Sequence, residues 1–150
     1  MTHIKTLNDS FAVSAAPPSE SDLRALAEDG YKAVVNLRCQ DEADQPIAPD
    51  REGEVVASLG LEYRPLPVAG GAMSDELVDE FRASVEALPK PVLVHCASGK
   101  RAVAFTMMHL AAQQGMGGDA TLQQAADMGF VCDDPALEDF VRNYVDRAQD

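Results

Sequence analysis

The sequence predicts an α/β fold, in which a single domain has a mainly parallel central sheet flanked by helices. Strand-like runs such as "KAVVNL" and "PVLVH" alternate along the chain with segments whose apolar residues recur at helical spacing. The 150 residues, of which 46% are hydrophobic, suffice for one domain with a core of its own. We therefore expect one domain over residues 1–150, with a core that spans roughly residues 10 to 148.

Turn and capping residues delimit the predicted elements of the first half. Asn8 and Asp9 separate two short β-rich runs, which favours a hairpin or two edge strands. Ser19, with Asp22 three residues later, has the pattern of a helix N-cap. The predicted elements are the hairpin or edge strands over residues 4–15, a helix over 19–30, a strand over 32–38, a polar loop over 39–49, a helix over 50–59 and a strand over 61–68. Two prolines in the last strand favour a place at its end or at a sheet edge.

The second half continues the alternation of helices and strands. Asp75 and Glu76 follow the flexible run "AGGA" and suit the positive end of a helix dipole. The predicted elements are a loop over residues 69–72, a helix over 74–88, a strand over 92–95 and helices over 102–114, 120–127 and 135–147. In such a sheet the functional site lies at the carboxyl ends of the strands, which is where Arg38 and Cys96 lie.

Charge and cysteine content exclude several classes of function. The net charge of −13 argues against a nucleic-acid partner, because phosphate backbones are bound by clustered basic residues. No apolar run reaches membrane-spanning length, and "MTHIKTLNDS" is not a signal peptide. Three cysteines, an odd number without clustering, suit reduced thiols in the cytoplasm. We expect a small anionic substrate, drawn in by a local positive site, and no cofactor.

The segment "VLVHCASGKRA" carries the strongest chemical signal. It leaves a buried strand at His95, passes Cys96 and a short turn, and enters a helix near Arg101. A turn of this kind points backbone N–H groups at an anion, and the helix N-terminus adds positive charge there. Arg101 offers a two-pronged contact to an oxyanion, and the same surroundings favour the Cys96 thiolate, the reactive form. The loop residues expected to bind substrate are Ala97, Ser98, Gly99 and Lys100.

Four residues near this loop have two interpretations each. His95 either supports the loop by a hydrogen bond or is simply packed; a metal site with Cys96 is not expected, because adjacent side chains on a strand point opposite ways. Arg38 either adds positive charge to the rim of the site or forms a surface ion pair. Cys39 is either a resolving thiol for an oxidised Cys96 or an unreactive, half-buried cysteine. Lys100 either attracts substrate or is a solvated lysine.

The chain resembles a known family through four runs of residues. They are "FAVSAAPPSESDLRALAEDGYKAVVNLR", "GLEYRPLPV", "PVLVHCASGKRA" and "AADMGF", which together cover most of residues 10–130. These runs are similar to the bacterial beta-lactamase-hydrolase-like, phosphatase-like domain family. The resemblance implies a tyrosine-phosphatase-like fold, with Cys96 as nucleophile and Arg101 as anion clamp. The implied activity is cleavage of phosphate monoesters through a cysteinyl-phosphate.

The chain departs from active cysteine phosphatases in three places. Only four residues separate Cys96 from Arg101, where those enzymes carry five, so the ring of N–H groups is expected to be tighter. The loop that would supply a general acid reads "AGGA", and Asp75 is the nearest candidate, with a helix cap as its alternative role. Ala102 stands where a hydroxyl often stabilises the departing thiolate.

These departures leave two other functions open. The six-residue loop also resembles the active loop of rhodanese-type sulfurtransferases, in which the cysteine carries a sulfur atom as a persulfide. Sulfur transfer between thiols needs a good thiolate and an accessible acceptor, without a general acid of that kind. The other function is a non-catalytic module that binds an anion or a partner, which the missing acid and the charge of −13 allow.

Overall fold

The sheet places the candidate nucleophile strand at its centre. The computed structural model describes residues 4–14, 16–39, 47–68, 73–96, 99–127 and 135–147. In them the strands are β1 (Ile4–Thr6), β2 (Phe11–Ser14), β3 (Ala33–Asn36), β4 (Glu62–Pro65) and β5 (Val92–His95). The order across the sheet is β1-β2-β5-β3-β4, and only β1 runs antiparallel to its neighbour. The predicted α/β class with a mainly parallel sheet is thereby confirmed.

The described helices alternate with the strands as predicted, apart from shifts at their ends. They are α1 (Glu20–Glu28), α2 (Pro49–Ser58), α3 (Asp75–Ala87), α4 (Lys100–Gln114), α5 (Gly118–Asp127) and α6 (Pro135–Arg147). Helix α4 begins at residue 100 rather than 102, because Gly99 turns the chain into it with a φ of 94°. Helix α5 begins at residue 118 rather than 120. Its first backbone N–H donates to Oδ1 of Asp146 at 2.8 Å, which replaces an intrahelical partner.

The loops of the first half contain two of the expected local signals. Oδ1 of Asn8 accepts from the backbone N–H groups of Ser10 and Phe11 at 2.8 and 2.9 Å, which turns β1 into β2. Ser19 and Asp22 form a reciprocal capping box at the start of α1. The predicted loops over 39–49 and 69–72 lie largely outside the described residues, except that residue 49 is the first of α2.

Two predicted strands are shorter than expected. β3 ends at residue 36 rather than 38, and β4, an edge strand, ends at Pro65. Proline has no N–H to donate, so its position at the end of an edge strand agrees with the prediction. Backbone pairing nevertheless continues, since the N–H of Leu37 donates to the carbonyl of His95 and that of Val68 to the carbonyl of Leu37, both at 3.0 Å.

The chain divides into two compact units, residues 1–102 and 103–150. In the first, α1 and α2 cover one face of the sheet. The sheet contributes the register-matched row Ala12, Leu93 and Val34, and the helices contribute Leu23, Leu26, Val55 and Val56. In the second, α5 packs closely on α6. None of the described helices has both the length and the apolar composition needed to cross a membrane.

Candidate active site

Cys96 follows the central strand directly and is fully buried. Its strand, β5, pairs with β2 and β3, and His95 lies opposite Ser14 and Asn36 at the carboxyl end. Cys96 has a relative exposure of 0%. Cys96, the predicted nucleophile, therefore lies at the carboxyl ends of the parallel strands, as expected from the sequence.

Two backbone amides donate to the sulfur of Cys96. The N–H of Gly99 lies 3.2 Å from Sγ, and the N–H of Ala102 lies 3.4 Å from it. Gly99 adopts a φ of 94°, a left-handed conformation that side chains rarely take. Ala102 lacks a hydroxyl, but its amide in the first turn of α4 supplies a donor in its place. The two N–H groups thus converge on the sulfur at the turn between β5 and α4.

Arg101 is anchored to the ends of two strands. Its Nη1 donates to the carbonyl of Val68 at 2.7 Å and to the carbonyl of Leu37 at 3.3 Å. Both carbonyls belong to segments that follow β4 and β3 at the site end of the sheet. The guanidinium is therefore held beside the strand ends, in the first turn of the helix whose amide contacts Cys96.

Arg38 is buried, with a relative exposure of 2%. Its backbone N–H donates to Oδ1 of Asn36 at 2.9 Å, so the turn after β3 is closed by a side chain of the strand. The expectation of a surface position for Arg38 is wrong, because the side chain is buried; Asp41 and Glu42, the acidic residues expected to pair with it, lie outside the described residues. The expectation that Arg38 ends its strand is also corrected, since β3 stops two residues earlier.

The imidazole of His95 pairs with a carboxylate that sequence reasoning did not single out. Nε2 of His95 lies 2.6 Å from Oε2 of Glu52, and the side chains are 0% and 2% exposed. Glu52 lies in the first half of α2, between acidic residues that are exposed. Such a run is typical of a solvated helix face, so nothing local indicated a buried carboxylate. For the interpretation in which His95 forms a hydrogen bond, Glu52 is the specific partner.

A second polar link joins α2 to the strand ends. The Tyr63 hydroxyl donates to the carbonyl of Pro49 at 2.9 Å and accepts from Nδ2 of Asn36 at 3.0 Å. Burial, and then the negative charge of Glu52, raise the pKa of Tyr63 well above its ordinary value of 10.0, against the lowering effect of the Asn36 amide. Tyr63 is therefore a neutral phenol that fixes the start of α2 over β3 and β4.

Residues 3–113 match the family described as "Beta-lactamase hydrolase-like protein, phosphatase-like domain". The chain belongs to this family. The match includes β5, the Cys96 loop and most of α4, so the resemblance seen in the sequence is confirmed.

Relatives and solved structures agree with that membership. A beta-lactamase hydrolase-like protein of Xylella fastidiosa strain Temecula1 is 30% identical over 102 residues, which are 67% of this chain and 23% of the relative. The chain thus matches under a quarter of that relative's length. A DUF442 protein of Shewanella putrefaciens CN-32 is 25% identical with a TM-score of 0.77, covering 97% of this chain and 88% of that one. TpbA of P. aeruginosa in complex with phosphotyrosine has a TM-score of 0.77 at 22% identity, covering 98% and 88%.

These comparisons and the loop geometry describe the same kind of protein. The fold is that of the tyrosine-phosphatase-like neighbours, and the family match makes the chain a phosphatase-like domain. Within this phosphatase-like domain, Cys96 follows the central strand and Arg101 lies in the helix that begins after its loop.

The other predicted site residues differ in burial and in whether the structure describes them. Ser74, rather than Asp75, caps α3, because its side chain accepts from the N–H of Leu77 at 3.2 Å; Asp75 is the first residue of the helix and half-buried. Cys39 is half-buried, and Lys100 is exposed at the start of α4. Ala97 and Ser98 lie outside the described residues. Within the described ranges, no group of three or more histidine, cysteine or acidic side chains could hold a metal ion.

Proposed function

We propose that this phosphatase-like domain hydrolyses small phosphate monoesters through a cysteinyl-phosphate on Cys96. The observation that carries the proposal is the pair of backbone N–H groups, from Gly99 and Ala102, on the Cys96 sulfur. A thiolate held in this way at a strand-to-helix turn is a nucleophile beside an anion-binding nest. The family membership and the phosphatase-like fold support the same reaction.

The reaction has two balanced steps. The Cys96 thiolate attacks phosphorus, so that an S–P bond forms while the ester P–O bond breaks and the alcohol leaves with a proton. Water then attacks the cysteinyl-phosphate, releasing inorganic phosphate and restoring the thiolate. Arg101 neutralises the phosphoryl oxygens. Asp75, beside the segment that supplies the acid in related phosphatases, is the proposed proton donor to the alcohol.

A small anionic substrate suits the charges around this site. Arg38 and Arg101 both lie at the carboxyl end of the sheet, in a chain whose net charge is −13. Local positive charge must therefore draw the anion in against the mean field of the protein. The complex of TpbA with phosphotyrosine supports an aryl phosphate as the first substrate to test. The loop amides, with Lys100, complete the proposed contacts to the phosphoryl group.

One observation favours a second candidate, sulfur transfer. Only four residues separate Cys96 from Arg101, and the N–H of Gly99, within this short span, already donates to the Cys96 sulfur. A persulfide adds one sulfur atom, which is smaller than a phosphoryl group. The Cys96 thiolate would attack the outer sulfur of thiosulfate, forming an S–S bond and releasing sulfite, and an acceptor thiol would then take that sulfur. A sulfane-sulfur donor is the substrate in this reaction.

The intact mass of acid-quenched protein distinguishes the two reactions. After incubation with an aryl phosphate, a gain of about 80 Da identifies the cysteinyl-phosphate. After incubation with thiosulfate, a gain of about 32 Da that a thiol reductant removes identifies the persulfide. Cys96→Ser must abolish either gain, whereas Cys132→Ser, which removes a cysteine that neither reaction uses, must keep it. Turnover of both substrates is measured in parallel, because a short-lived intermediate escapes quenching. Absence of turnover with both would leave a non-catalytic anion-binding or partner-binding module.

Three further assignments belong to this proposal. Cys39, a half-buried thiol, is the proposed resolving residue for an oxidised Cys96. The reaction needs a reduced thiolate, which supports a cytoplasmic location. Residues 1–150 act as one domain; the family match supports this because it continues to residue 113, past the division between the two compact units.

A further inference from the structure

The buried pair formed by Glu52 and His95 has two possible proton arrangements. At 2.6 Å between Oε2 and Nε2, one proton must lie between the two atoms. Either an ionised Glu52 accepts from Nε2–H, or a protonated Glu52 donates to a bare Nε2. For a neutral ring, the two arrangements differ in which ring nitrogen of His95 carries hydrogen.

The other ring nitrogen of His95 favours the first arrangement. Nδ1 is buried and has no hydrogen-bond partner among the described residues. With a bare Nε2, the neutral ring would carry its hydrogen at Nδ1, as a buried donor without an acceptor. Buried N–H groups without partners are rarer than buried acceptors without donors.

The position of Glu52 is itself held from two sides. Its helix, α2, is tied to the strand ends by the hydrogen bond from Tyr63 to Pro49, while Tyr63 accepts from Asn36. Asn36 is the register partner of His95 across β3 and β5. The carboxylate thus reaches the ring from a helix that is fixed at the same end of the sheet, which limits rotation of the imidazole.

We propose that Glu52 is a positioning residue for the nucleophile: it keeps a proton on Nε2 of His95 and fixes the ring next to Cys96. Nε2 is the ring nitrogen farther from the main chain, so the carboxylate holds the outer end of the ring. His95 is bonded directly to Cys96, and a ring free to rotate would loosen the backbone from which the sulfur and its loop start. The positioning role of Glu52 rests on the proposed function only where its effect on turnover is concerned.

Two substitutions at position 52 separate positioning from mere packing. Glu52→Gln keeps a carbonyl that accepts from Nε2–H, whereas Glu52→Met keeps similar bulk and removes the acceptor. Glu54→Gln, on the exposed side of the same helix, is the matched control. Nitrogen-15 NMR of His95 reports which ring nitrogen is protonated, and alkylation of Cys96 by iodoacetamide reports the state of the thiol without any substrate.

The wild type and the two variants at position 52 have different expected results. Nε2 of His95 is protonated in the wild type and in the Gln variant, which keeps most of the activity on an aryl phosphate. In the Met variant kcat falls roughly 10- to 100-fold with a much smaller change in KM, and the alkylation rate of Cys96 changes.

A bare Nε2 in the wild type overturns the proposal even if the Met variant fails to fold. A folded Met variant with wild-type kcat and alkylation rate overturns it as well. If wild-type protein does not hydrolyse the phosphate, the proposed function fails, while the NMR and alkylation results still decide the role of Glu52.

Discussion

Nη1 of Arg101 lies 2.7 Å from the carbonyl oxygen of Val68, a residue 33 positions away in the chain. The same nitrogen contacts the carbonyl of Leu37 at 3.3 Å. The proposed anion clamp is therefore part of the structure that joins the ends of β3 and β4 to the start of α4. Both the positive charge and the planar shape of the Arg101 guanidinium contribute to the proposed anion binding, and a substitution that keeps only the charge separates the two contributions.

Arg101→Lys keeps the positive charge and removes the planar fork. Lysine cannot reproduce the two carbonyl contacts and a directed contact to an oxyanion from one nitrogen. We expect kcat/KM for an aryl phosphate to fall about 100- to 1,000-fold, as when one donor to a transition-state oxyanion is lost. Arg24→Lys, on the exposed side of α1, is the control. An unchanged kcat/KM in a folded Arg101→Lys protein would remove the clamp from the mechanism.

Asp75→Asn tests the proposed general acid by comparing two leaving groups. Ser74 already caps α3, so the helix is expected to remain. An alkyl phosphate, whose leaving alcohol needs a proton, should be cleaved about 100- to 10,000-fold more slowly. Cleavage of p-nitrophenyl phosphate should change much less, because its leaving group is stable as an anion. Glu76→Gln, at the next position, is the control; equal losses for both esters would exclude Asp75 as the acid.

Gly118→Ala should destabilise the packing of α5 on α6. A Cβ atom at this position would lie 2.6 to 2.9 Å from atoms of Arg142, two of which belong to the backbone. We expect a loss of about 1–3 kcal/mol in the free energy of unfolding, measured by urea denaturation. Gly117→Ala is the matched control, because its Cβ would meet only Oδ1 of Asp146, at 3.9 Å. Equal stabilities of the two variants would contradict the close approach at Gly118.

Tyr63→Phe should change how stability depends on alkaline pH. Burial raises the pKa of Tyr63 above its ordinary value of 10.0, so above pH 10 the unfolded phenol releases a proton that the folded one keeps. The contribution of the Tyr63 phenol to the free energy of unfolding is therefore fully present below pH 10 and is lost as the pH rises further. Phenylalanine loses the contacts to Pro49 and Asn36, at a cost of about 1–3 kcal/mol near neutrality.

The difference in unfolding free energy between wild type and Tyr63→Phe should therefore narrow above pH 10. Urea denaturation at a series of pH values measures it. A constant difference up to the alkaline limit of the folded state would show that the Tyr63 phenol titrates alike in the folded and unfolded chains.

Most of the fold, and the position of Cys96 within it, were predictable because their signals are local. The capping box at Ser19, the turn at Asn8 and the strand-to-helix run through Cys96 each lie within a few consecutive residues. The end of β4 at Pro65 follows from the chemistry of a single residue type. Such features depend on neighbours in the chain, so the sequence contains all that is needed to recognise them.

The supporting side of the site was not predictable, because it joins distant residues. Glu52 and His95 are 43 positions apart, and the acidic surroundings of Glu52 in the sequence indicate a solvated helix face. The burial of Arg38 likewise depends on what the tertiary structure places over the end of β3. Neither the Glu52–His95 pair nor the burial of Arg38 produces a periodic pattern in the sequence. Both are visible only in the folded structure.

The strand order has a consequence for chains that are still being synthesised. β5 lies between β2 and β3, although it is the last of the five described strands to be made. Until residue 95 has left the ribosome, β2 and β3 lack the neighbour that satisfies their facing backbone groups. The strand that fills this gap also delivers Cys96. A growing chain therefore brings Cys96 to the strand ends in the same step that closes its sheet, and an unfinished chain lacks the proposed site.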